Sequence, residues 1–490
     1  MGVCVPTLAL SSADPSTIET DVLVVGLYKD ENGPALAEGA AAVESAFEGF
    51  TDSLKTLGAT GAPGTVTTLP SFGHVSAPLI VAVGLGKRAD GPSTETVRRA
   101  AGAAARASAG KSTMTFAIDA DSEALGLGAL LGAYKFDGYK TTPASERKKP
   151  VETVTLLDET ANVKRIHGLA SAVSTTRDWV NTPANMLRPP QFADQVSAAA
   201  TEAGLEVEVL DETALEAGGY GGILAVGMGS AAKPRLVRVA YRGKGATKHV
   251  ALVGKGITFD TGGISIKPSS GMWDMKTDMG GAAAVAGTML AVAALAPAVN
   301  VTAYIPMAEN MPSSTAYRPG DVVTAYGGKT IEVLNTDAEG RMVLCDALTR
   351  AAEDKPDVIY DTATLTGGQV VGLGKRTAGV MGTDEECTRV KKVGEEVGEL
   401  AWPMPMPEEI RKTMESSIAD VSQTAANMER SGHMLQGGIF LSHFVPEDMP
   451  WAHIDIAGPS QHSGEPYGYI VKGATGVPVR TLVGLIESHA

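Results

Sequence analysis

The stretch IEVLNTDAEGRMVLCDAL, from Ile331 to Leu348, joins two kinds of secondary structure. Its apolar beginning is typical of a β-strand, and an apolar helical pattern follows Arg341. Asp337, Glu339 and Arg341 lie between the two at alternate positions. Carboxylates this close together repel each other and lose solvation, so the pattern requires a positive partner. We therefore predict a strand-to-helix turn that carries a functional site.

The rest of the chain alternates strands and helices in the same way. Short apolar runs such as Asp21–Tyr28, Leu79–Gly86 and His249–Phe259 predict strands, and Pro34–Phe50 predicts one of the intervening helices. This succession indicates a mostly parallel sheet that is covered on both sides. The predicted fold class is α/β, with two domains. Each is expected to be a mixed, mostly parallel sheet flanked by helices, and the C-terminal domain is expected to be larger.

The length of the chain, 490 residues, is too great for one ordinary core. A charged, loop-like segment at Lys140–Pro150 and a helical pattern that ends near Val180 indicate where the domains meet. We predict three parts: an N-terminal α/β domain over residues 1–160, a linking helix over 161–182, and a C-terminal domain over 183–490.

The composition limits the classes of partner. The net charge of −15 argues against nucleic acid or an anionic membrane as the main partner. Three cysteines, Cys4, Cys345 and Cys387, are too few for a disulfide framework and indicate a reducing compartment. The N-terminus has no basic region before its apolar run, unlike a secretory signal. The apolar stretch Gly281–Val299 suits a buried helix better than a membrane span, so the expected location is the cytoplasm.

A second group of charged residues lies earlier in the chain. The segment Val253–Ala283 contains Lys255, Asp260, Lys267 and Asp278 among glycines that permit irregular backbone. Lys255 follows an apolar strand, and Asp278 precedes a predicted helix. Because catalytic groups in open α/β sheets gather at the carboxyl ends of strands, we expect this segment to face the Asp337–Arg341 turn.

The predicted cluster holds four acidic residues: Asp260, Asp278, Asp337 and Glu339. Two divalent cations would cancel their charge, and a pair of metals about 3.5 to 4 Å apart is an established hydrolytic arrangement. Ligation by oxygen, without His or Cys, favours Mg, Mn or a carboxylate-held Zn. Beside dications the pKa of Lys255 would fall, and its nitrogen could then bind metal.

The remaining basic residues of the two segments have expected roles as well. Lys267 could stay charged and polarise a carbonyl group. Arg341, at the predicted N-terminus of a helix, is placed to hold an anion.

Plainer interpretations exist for each element. An isolated Asp-x-Glu is more often a solvated turn, and a lysine after a strand is commonly a surface residue. The glycine-rich segment GKGITFDTGG resembles a phosphate-binding loop but lacks the GxxxxGK[ST] form. The sequence contains neither a GxSxG nucleophile elbow nor HExxH or HxxEH spacing. His453 is therefore expected to be a core histidine with satisfied hydrogen bonds.

In combination, three motifs closely resemble the leucyl aminopeptidase family of dinuclear metallopeptidases. They are NTDAEGR (Asn335–Arg341), VGKGITFDTGGISIKP (Val253–Pro268) and MKTDMGGAA (Met275–Ala283). The likeness extends over nearly all of the second domain. It implies that residues 183–490 form a catalytic domain and that residues 1–160 have an assembly or regulatory role. It implies a cytosolic homohexamer that removes N-terminal residues, preferably leucine-like ones, from peptides.

The resemblance also implies ligands for the two metals. One metal would be held by Lys255, Asp260, Asp278 and Glu339, and the other by Asp260, Asp337 and Glu339. The expected ions are Mn or Zn, with Mg or Co as alternatives.

The catalytic residues that the resemblance implies are Lys267 and Arg341, the arginine by holding a bicarbonate that acts as general base. The implied substrate-binding residues are Met275, Asn335, Thr364, Leu365 and Gly367.

Other functions compatible with the resemblance are a DNA-binding accessory role, an inactive scaffold hexamer and a cysteinylglycine dipeptidase. A DNA-binding role would depend mainly on the first domain. Residues 1–160 carry 13 basic against 19 acidic residues, which does not favour it.

Overall fold

The structure, a computed structural model, describes residues 5–88, 91–426 and 429–490, so Cys4 and the first residues of the chain lie outside it. The chain forms two compact units. Unit 1 comprises Met1–Ser174 and Ser463–Lys472, and unit 2 comprises Thr175–His462 and Gly473–Ala490. Each is built on a mixed sheet with flanking helices, and unit 2 is the larger. The predicted α/β class with two domains is confirmed.

Unit 1 contains a sheet of seven strands among the described residues. The strands are β1 (Thr7–Leu10), β2 (Val22–Asp30), β3 (Gly33–Leu36), β4 (Val66–Pro70), β5 (Leu79–Lys87), β6 (Thr113–Ala117) and β7 (Thr153–Leu156). They lie in the order β1-β7-β6-β2-β5-β4, with β3 beside β2. Strands β3 and β4 pair antiparallel with their neighbours, and the other pairs are parallel.

Five helices accompany this sheet in the described part of the chain. They are α1 (Ala41–Ala46), α2 (Phe50–Thr56), α3 (Thr94–Ala107), α4 (Ser122–Gly132) and α5 (Val163–Asn181). Helix α5 contains the division between the two units. Helices α3 and α4 approach closely because glycines face each other: a Cβ on Gly132 would lie 2.5 Å from the Cα of Gly102.

The predicted single helix over Pro34–Phe50 is wrong. The segment begins as β3, and the two short helices α1 and α2 follow. Gly39 and Gly49 have φ angles of +96° and +75°, which a continuous right-handed helix excludes.

Unit 1 also includes a distant part of the sequence, Ser463–Lys472. Tyr469 in this segment donates a 3.0 Å hydrogen bond to Glu95 in α3. The backbone of Tyr469 lies close to α3. A Cβ built on Gly102 of that helix would be 2.5 Å from the Cα of Tyr469. The small residue at position 102 therefore makes room for this segment.

Unit 2 contains a nine-stranded sheet and two small sheets in its described residues. Its strands are β8 (Glu206–Leu210), β9 (Arg235–Tyr241), β10 (His249–Gly254), β11 (Gly256–Asp260), β12 (Asn300–Asn310), β13 (Val322–Thr324), β14 (Thr330–Glu332), β15 (Val358–Ala363), β16 (Ala378–Gly382), β17 (Ala401–Pro403), β18 (Val421–Ser422), β19 (Trp451–Asp455), β20 (Gln461–His462) and β21 (Gly473–Ala474).

The helices of unit 2 cover both faces of its main sheet. They are α6 (Pro189–Glu202), α7 (Glu212–Gly218), α8 (Gly221–Gly227), α9 (Gly280–Leu295), α10 (Glu339–Glu353), α11 (Gly367–Leu373), α12 (Asp384–Val397), α13 (Glu408–Lys412), α14 (His433–Ser442) and α15 (Val479–Glu487).

The main sheet runs β17-β16-β19-β15-β10-β12-β9-β8, with β11 also beside β12. Its central strands β19, β15, β10 and β12 are parallel. Alternate residues of β10 point to opposite faces: Val250 and Leu252 pack in the core that includes α9, and Ala251 and Val253 in the core that includes α10. The carboxyl ends of these strands therefore lie at one edge, between α9 and α10.

The predicted strand over His249–Phe259 is divided in two at Lys255. The N–H of Lys255 donates to Thr362 O at 3.0 Å, and its carbonyl accepts from Ala282 N at 2.8 Å. These bonds take the backbone of Lys255 out of the pairing with β12. The division directs the lysine toward the edge where the predicted site residues gather.

One helical stretch, Met272–Leu295, is long and apolar enough to cross a membrane by length and composition. In the 18-residue segment of this stretch that is most apolar, 78% is buried within the fold.

Candidate metal centre

The predicted metal ligands lie at the ends of strands and at the starts of helices. Lys255 follows β10, and Asp260 is the last residue of β11. Asp278 precedes α9, Asp337 lies between β14 and α10, and Glu339 is the first residue of α10. The parallel strands thus bring together at one edge the two segments that the sequence places far apart.

Lys255 is at the buried side of this cluster. Its Nζ lies 2.8 Å from Asp278 Oδ2 and 2.8 Å from Glu339 Oε1, and it donates to Thr364 O at 2.9 Å. A Cβ on Gly340 would lie 2.5 Å from the lysine Cε, so only glycine lets this side chain pass below the start of α10.

Lys267 is at the more open side. Its Nζ lies 2.8 Å from Asp260 Oδ2 and 2.6 Å from Asp337 Oδ1. The side chains of Lys267 and Asp337 are 22% and 32% exposed, whereas those of Lys255 and Glu339 are 2% exposed. A small molecule can therefore reach the cluster from the side of Lys267.

The electrostatics show an excess of negative charge. Burial, and then the neighbouring carboxylates, raises the pKa of Asp260 to about 7. Burial also raises the pKa of Asp278 and of Asp337. Burial would likewise raise the pKa of Glu339, but attraction to the two lysines outweighs it and lowers the pKa. With all four carboxylates ionised, the cluster carries two more negative charges than the two ammonium groups supply.

The side chains fit divalent cations. Asp260, Asp337 and Glu339 each offer a carboxylate oxygen, and these oxygens lie within 4.8 Å of one another. Asp278 lies beyond this triplet, next to Lys255. Asp278 Oδ2 and Asp337 Oδ1 are buried, and each lies against a lysine ammonium, at 2.8 Å from Lys255 and 2.6 Å from Lys267. Carboxylate oxygens with free lone pairs are the donors that hard or borderline cations take.

The pKa of Lys255 is raised in the metal-free arrangement. Burial alone would lower it, but attraction to Asp278, Glu339 and Asp260 outweighs burial. The lowered pKa predicted for Lys255 depends on bound dications and stays a prediction.

Arg341 is buried in the first turn of α10, on the same helix as Glu339. Its Nη1 donates to Gln423 O at 2.7 Å, and its guanidinium carbon lies 5.9 Å from the centre of the Phe440 ring. Its Nε has no hydrogen bond to the described residues. Burial lowers the pKa of Arg341 to about 10. The guanidinium therefore stays charged at neutral pH with spare donor capacity.

Two of the predicted substrate-binding residues contact the metal cluster or its immediate neighbours. Thr364 Oγ1 donates to Asp278 Oδ1 at 2.8 Å. Asn335 Oδ1 accepts from the N–H of Asp337 at 3.0 Å. Thr364 therefore contacts the side chain of the predicted ligand Asp278, and Asn335 contacts the backbone of the predicted ligand Asp337.

The other three lie on the segments that border the cluster. Met275 is in a 3-10 turn, Met272–Thr277, directly before Asp278. The N–H of Leu365 donates to Asp455 Oδ1 at 3.1 Å, and Gly367 begins α11. Their contact with a substrate stays a prediction.

Sequence reasoning missed three residues around the cluster: Asn310, Tyr317 and Thr336. Asn310 ends β12 and donates to Asp260 Oδ1 at 2.8 Å. The signal that could have found it is its place at the end of a predicted strand, at the same sheet edge as the ligands.

His453 is in the core, as predicted, but its hydrogen bonds are only partly satisfied. Its Nδ1 lies 2.5 Å from Asp361 Oδ1, whereas its Nε2 has no hydrogen bond to the described residues.

Comparison with known proteins gives full-length relatives. The cytosol aminopeptidase family matches in two parts, its catalytic domain over residues 174–483 and its N-terminal domain over residues 24–143. A protein of Streptomyces griseus named probable cytosol aminopeptidase is 50% identical, over 99% of this chain and 98% of its own length. A protein of Rhodococcus jostii with the same name is also 50% identical, over 99% of this chain and 97% of its own length.

Solved structures agree with these sequence matches. The bottromycin maturation enzyme BotP, in complex with Mn, has a TM-score of 0.85 and 34% identity, covering 96% of this chain and 99% of BotP. A mutant of tomato leucine aminopeptidase has a TM-score of 0.86 and 30% identity, covering 99% of this chain and 96% of the tomato chain. The chain therefore belongs to the cytosol aminopeptidase family of metal-dependent peptidases, and its substrates are peptides.

Proposed function

We propose that this aminopeptidase works with two divalent cations and prefers leucine-like N-terminal residues. The observation that carries the proposal is the cluster of four carboxylates whose charge two lysines only half offset. Lys255, Asp260, Asp278, Asp337 and Glu339 would hold the cations. When bound, such ions lower the pKa of a water to near neutrality and polarise the scissile carbonyl.

Lys267 is proposed to stabilise negative charge on the carbonyl oxygen of the substrate. Attraction to Asp260, Glu339 and Asp337 outweighs burial and raises the pKa of Lys267, so these carboxylates favour its charged form. Two carboxylates hold Nζ at the exposed side of the cluster, which limits its motion. A fixed donor in a partly buried site stabilises a developing charge with little reorganisation.

Arg341 is proposed to bind a bicarbonate that acts as general base. Support comes from its buried guanidinium, its unpartnered Nε and its position two residues after Glu339. The planar guanidinium can donate two parallel hydrogen bonds to such an anion. Such an anion would serve as a proton acceptor beside the proposed metal cluster.

Met275, Asn335, Thr364, Leu365 and Gly367 are proposed to bind the substrate. The preference for a leucine-like residue is supported by the apolar Met275 and Leu365 on the segments that border Asp278 and Thr364. A Cβ on Gly367 would meet no atom within 4 Å, so the start of α11 leaves space for a substrate side chain.

The proposal includes the physiological metals, the assembly and the location. Mn is favoured because a structural relative is described as a complex with Mn, and Zn, Mg and Co are the other candidates. A cytoplasmic homohexamer is proposed from the family resemblance and from the name cytosol aminopeptidase that the relatives carry. An assembly or regulatory role for residues 1–160, a linking helix at 161–182 and a catalytic domain at 183–490 are part of the same proposal.

Chelation and readdition of metal test the function directly. We expect the hydrolysis of leucine p-nitroanilide to fall by more than about tenfold after chelation, because the cations supply the charge stabilisation. Readdition of Mn, Zn, Mg or Co, one at a time, is expected to restore activity to different extents and to rank the metals. Activity that survives while metal analysis shows a metal-free protein would contradict the proposal.

A further inference from the structure

The side chain of Asn310 connects the two segments that carry the proposed metal ligands. Its Nδ2 donates to Asp260 Oδ1 at 2.8 Å and to Thr336 O at 2.9 Å. Thr336 directly precedes Asp337. A single amide group therefore contacts one ligand and the backbone beside another.

Only one orientation of this amide is compatible with its surroundings. Both partners, a carboxylate oxygen and a carbonyl oxygen, are acceptors, so the NH2 group must face them. The Oδ1 atom of Asn310 accepts no hydrogen bond from the described residues. It faces Gly263, where a Cβ would lie 2.7 Å from it. The amide is thus held by its two donated bonds while its acceptor remains unused.

Tyr317 strengthens the same connection. Its hydroxyl donates to Thr336 O at 2.9 Å, so this carbonyl accepts from both Asn310 and Tyr317. Tyr317 is 3% exposed. Burial, together with Glu339, Asp260 and Asp337, raises the pKa of its hydroxyl, which therefore remains a donor.

The backbone carbonyl of Asn310 binds the segment that follows Asp260. Its carbonyl accepts from Thr261 N at 3.1 Å and from Thr261 Oγ1 at 2.8 Å, directly after Asp260. Thr336 Oγ1 in turn donates to Gly262 O at 2.6 Å. The two segments are therefore bonded to each other and to the end of β12.

We propose that Asn310 and Tyr317 are positioning residues that set the separation between Asp260 and Asp337 for metal binding. The inference rests on the proposed two-metal function. The carboxylates of Asp260 and Asp337 repel each other, and Lys267 pairs with both. The donors to Thr336 O and Asp260 Oδ1 hold the same two segments independently of that lysine. Groups that orient metal ligands in this way commonly contribute about 10–100-fold to metal affinity.

The test compares metal retention in the full-length wild-type protein and in Asn310→Ala and Tyr317→Phe, each loaded with Mn and titrated with a chelator. Mn per chain is measured by metal analysis. The matched control is Tyr360→Phe, which removes a hydroxyl that contacts Glu386 and His489 in the same unit. We expect Asn310→Ala to release at least one Mn at a roughly 10–100-fold lower chelator concentration. Tyr317→Phe is also expected to release Mn at a lower chelator concentration than wild type. Tyr360→Phe is expected to release Mn at the wild-type concentration.

Several outcomes would overturn the inference, and they are distinguishable from failure of the proposed function. If the wild type retains two Mn per chain and both variants match it within about twofold, Asn310 and Tyr317 do not position the ligands. If Tyr360→Phe releases Mn as readily as the variants, the effect is general loosening and not positioning. If the wild type itself never retains two Mn, both the two-metal function and this inference fail. If Asn310→Ala does not fold, Tyr317→Phe decides by the same criteria.

Discussion

Replacing Glu339 with Gln is expected to lower the turnover of leucine p-nitroanilide by about a thousandfold and to remove at least one bound metal. Charge stabilisation by a catalytic metal is worth several kcal/mol, and each 1.36 kcal/mol corresponds to about tenfold in rate. Glu339 is 2% exposed and lies 2.8 Å from Lys255. Glutamine has almost the same shape, so the change removes one charge from the cluster and little packing.

The control for this substitution is Glu386→Gln. Glu386 is also a buried glutamate of unit 2, but it pairs with Arg389 at 3.0 Å and belongs to no proposed metal site. We expect it to keep the full metal content and near-normal turnover. A Glu339→Gln protein that binds two metals and works within about tenfold of wild type would show that Glu339 is not a ligand.

Replacing Lys267 with Ala is expected to reduce turnover by about a hundredfold or more, since the loss of one charge-stabilising donor commonly costs that much. Asp260, Glu339 and Asp337 raise the pKa of Lys267 and favour its charged form, whereas bound dications would act in the opposite direction. The ratio of wild-type to variant turnover should therefore fall toward one at the pH where Lys267 loses its proton. The measurement is kcat against pH for both proteins, with metal content verified.

Lys391→Ala provides the comparison for Lys267. Its ammonium lies 4.1 Å from the centre of the Trp402 ring, at the surface and outside the cluster. This variant is expected to match wild type. A Lys267→Ala enzyme within about tenfold of wild type at full metal content would remove Lys267 from the catalytic residues.

The sequence predicted strands in both units and the sheet edge that carries the centre. Apolar runs at Leu79–Gly86 and at the start of His249–Phe259 gave β5 and β10, since buried parallel strands are nearly uniform in hydrophobicity. Acidic residues after such strands indicated the sheet edge where Asp260, Asp337 and Glu339 lie together. The pattern of alternate charged residues was informative because its electrostatic cost requires compensation.

Features that depend on distant contacts could not be predicted. Ser463–Lys472 joins unit 1 because it packs on α3, which its local composition does not reveal. Strand β16 pairs antiparallel with β19, and no local pattern fixes such an order. Asn310 was missed because an asparagine at the end of a strand is usually a turn residue, and only the fold shows that its amide reaches Asp260.

The central claim is that two divalent cations compensate the four clustered carboxylates. Anomalous diffraction from crystals of the full-length protein soaked in Mn tests it most directly. The account predicts two anomalous peaks per chain, one bounded by Asp260, Asp337 and Glu339 and the other by Lys255, Asp260, Asp278 and Glu339. A well-ordered structure with no peak there, in which the carboxylates still pair with Lys255 and Lys267, would contradict it.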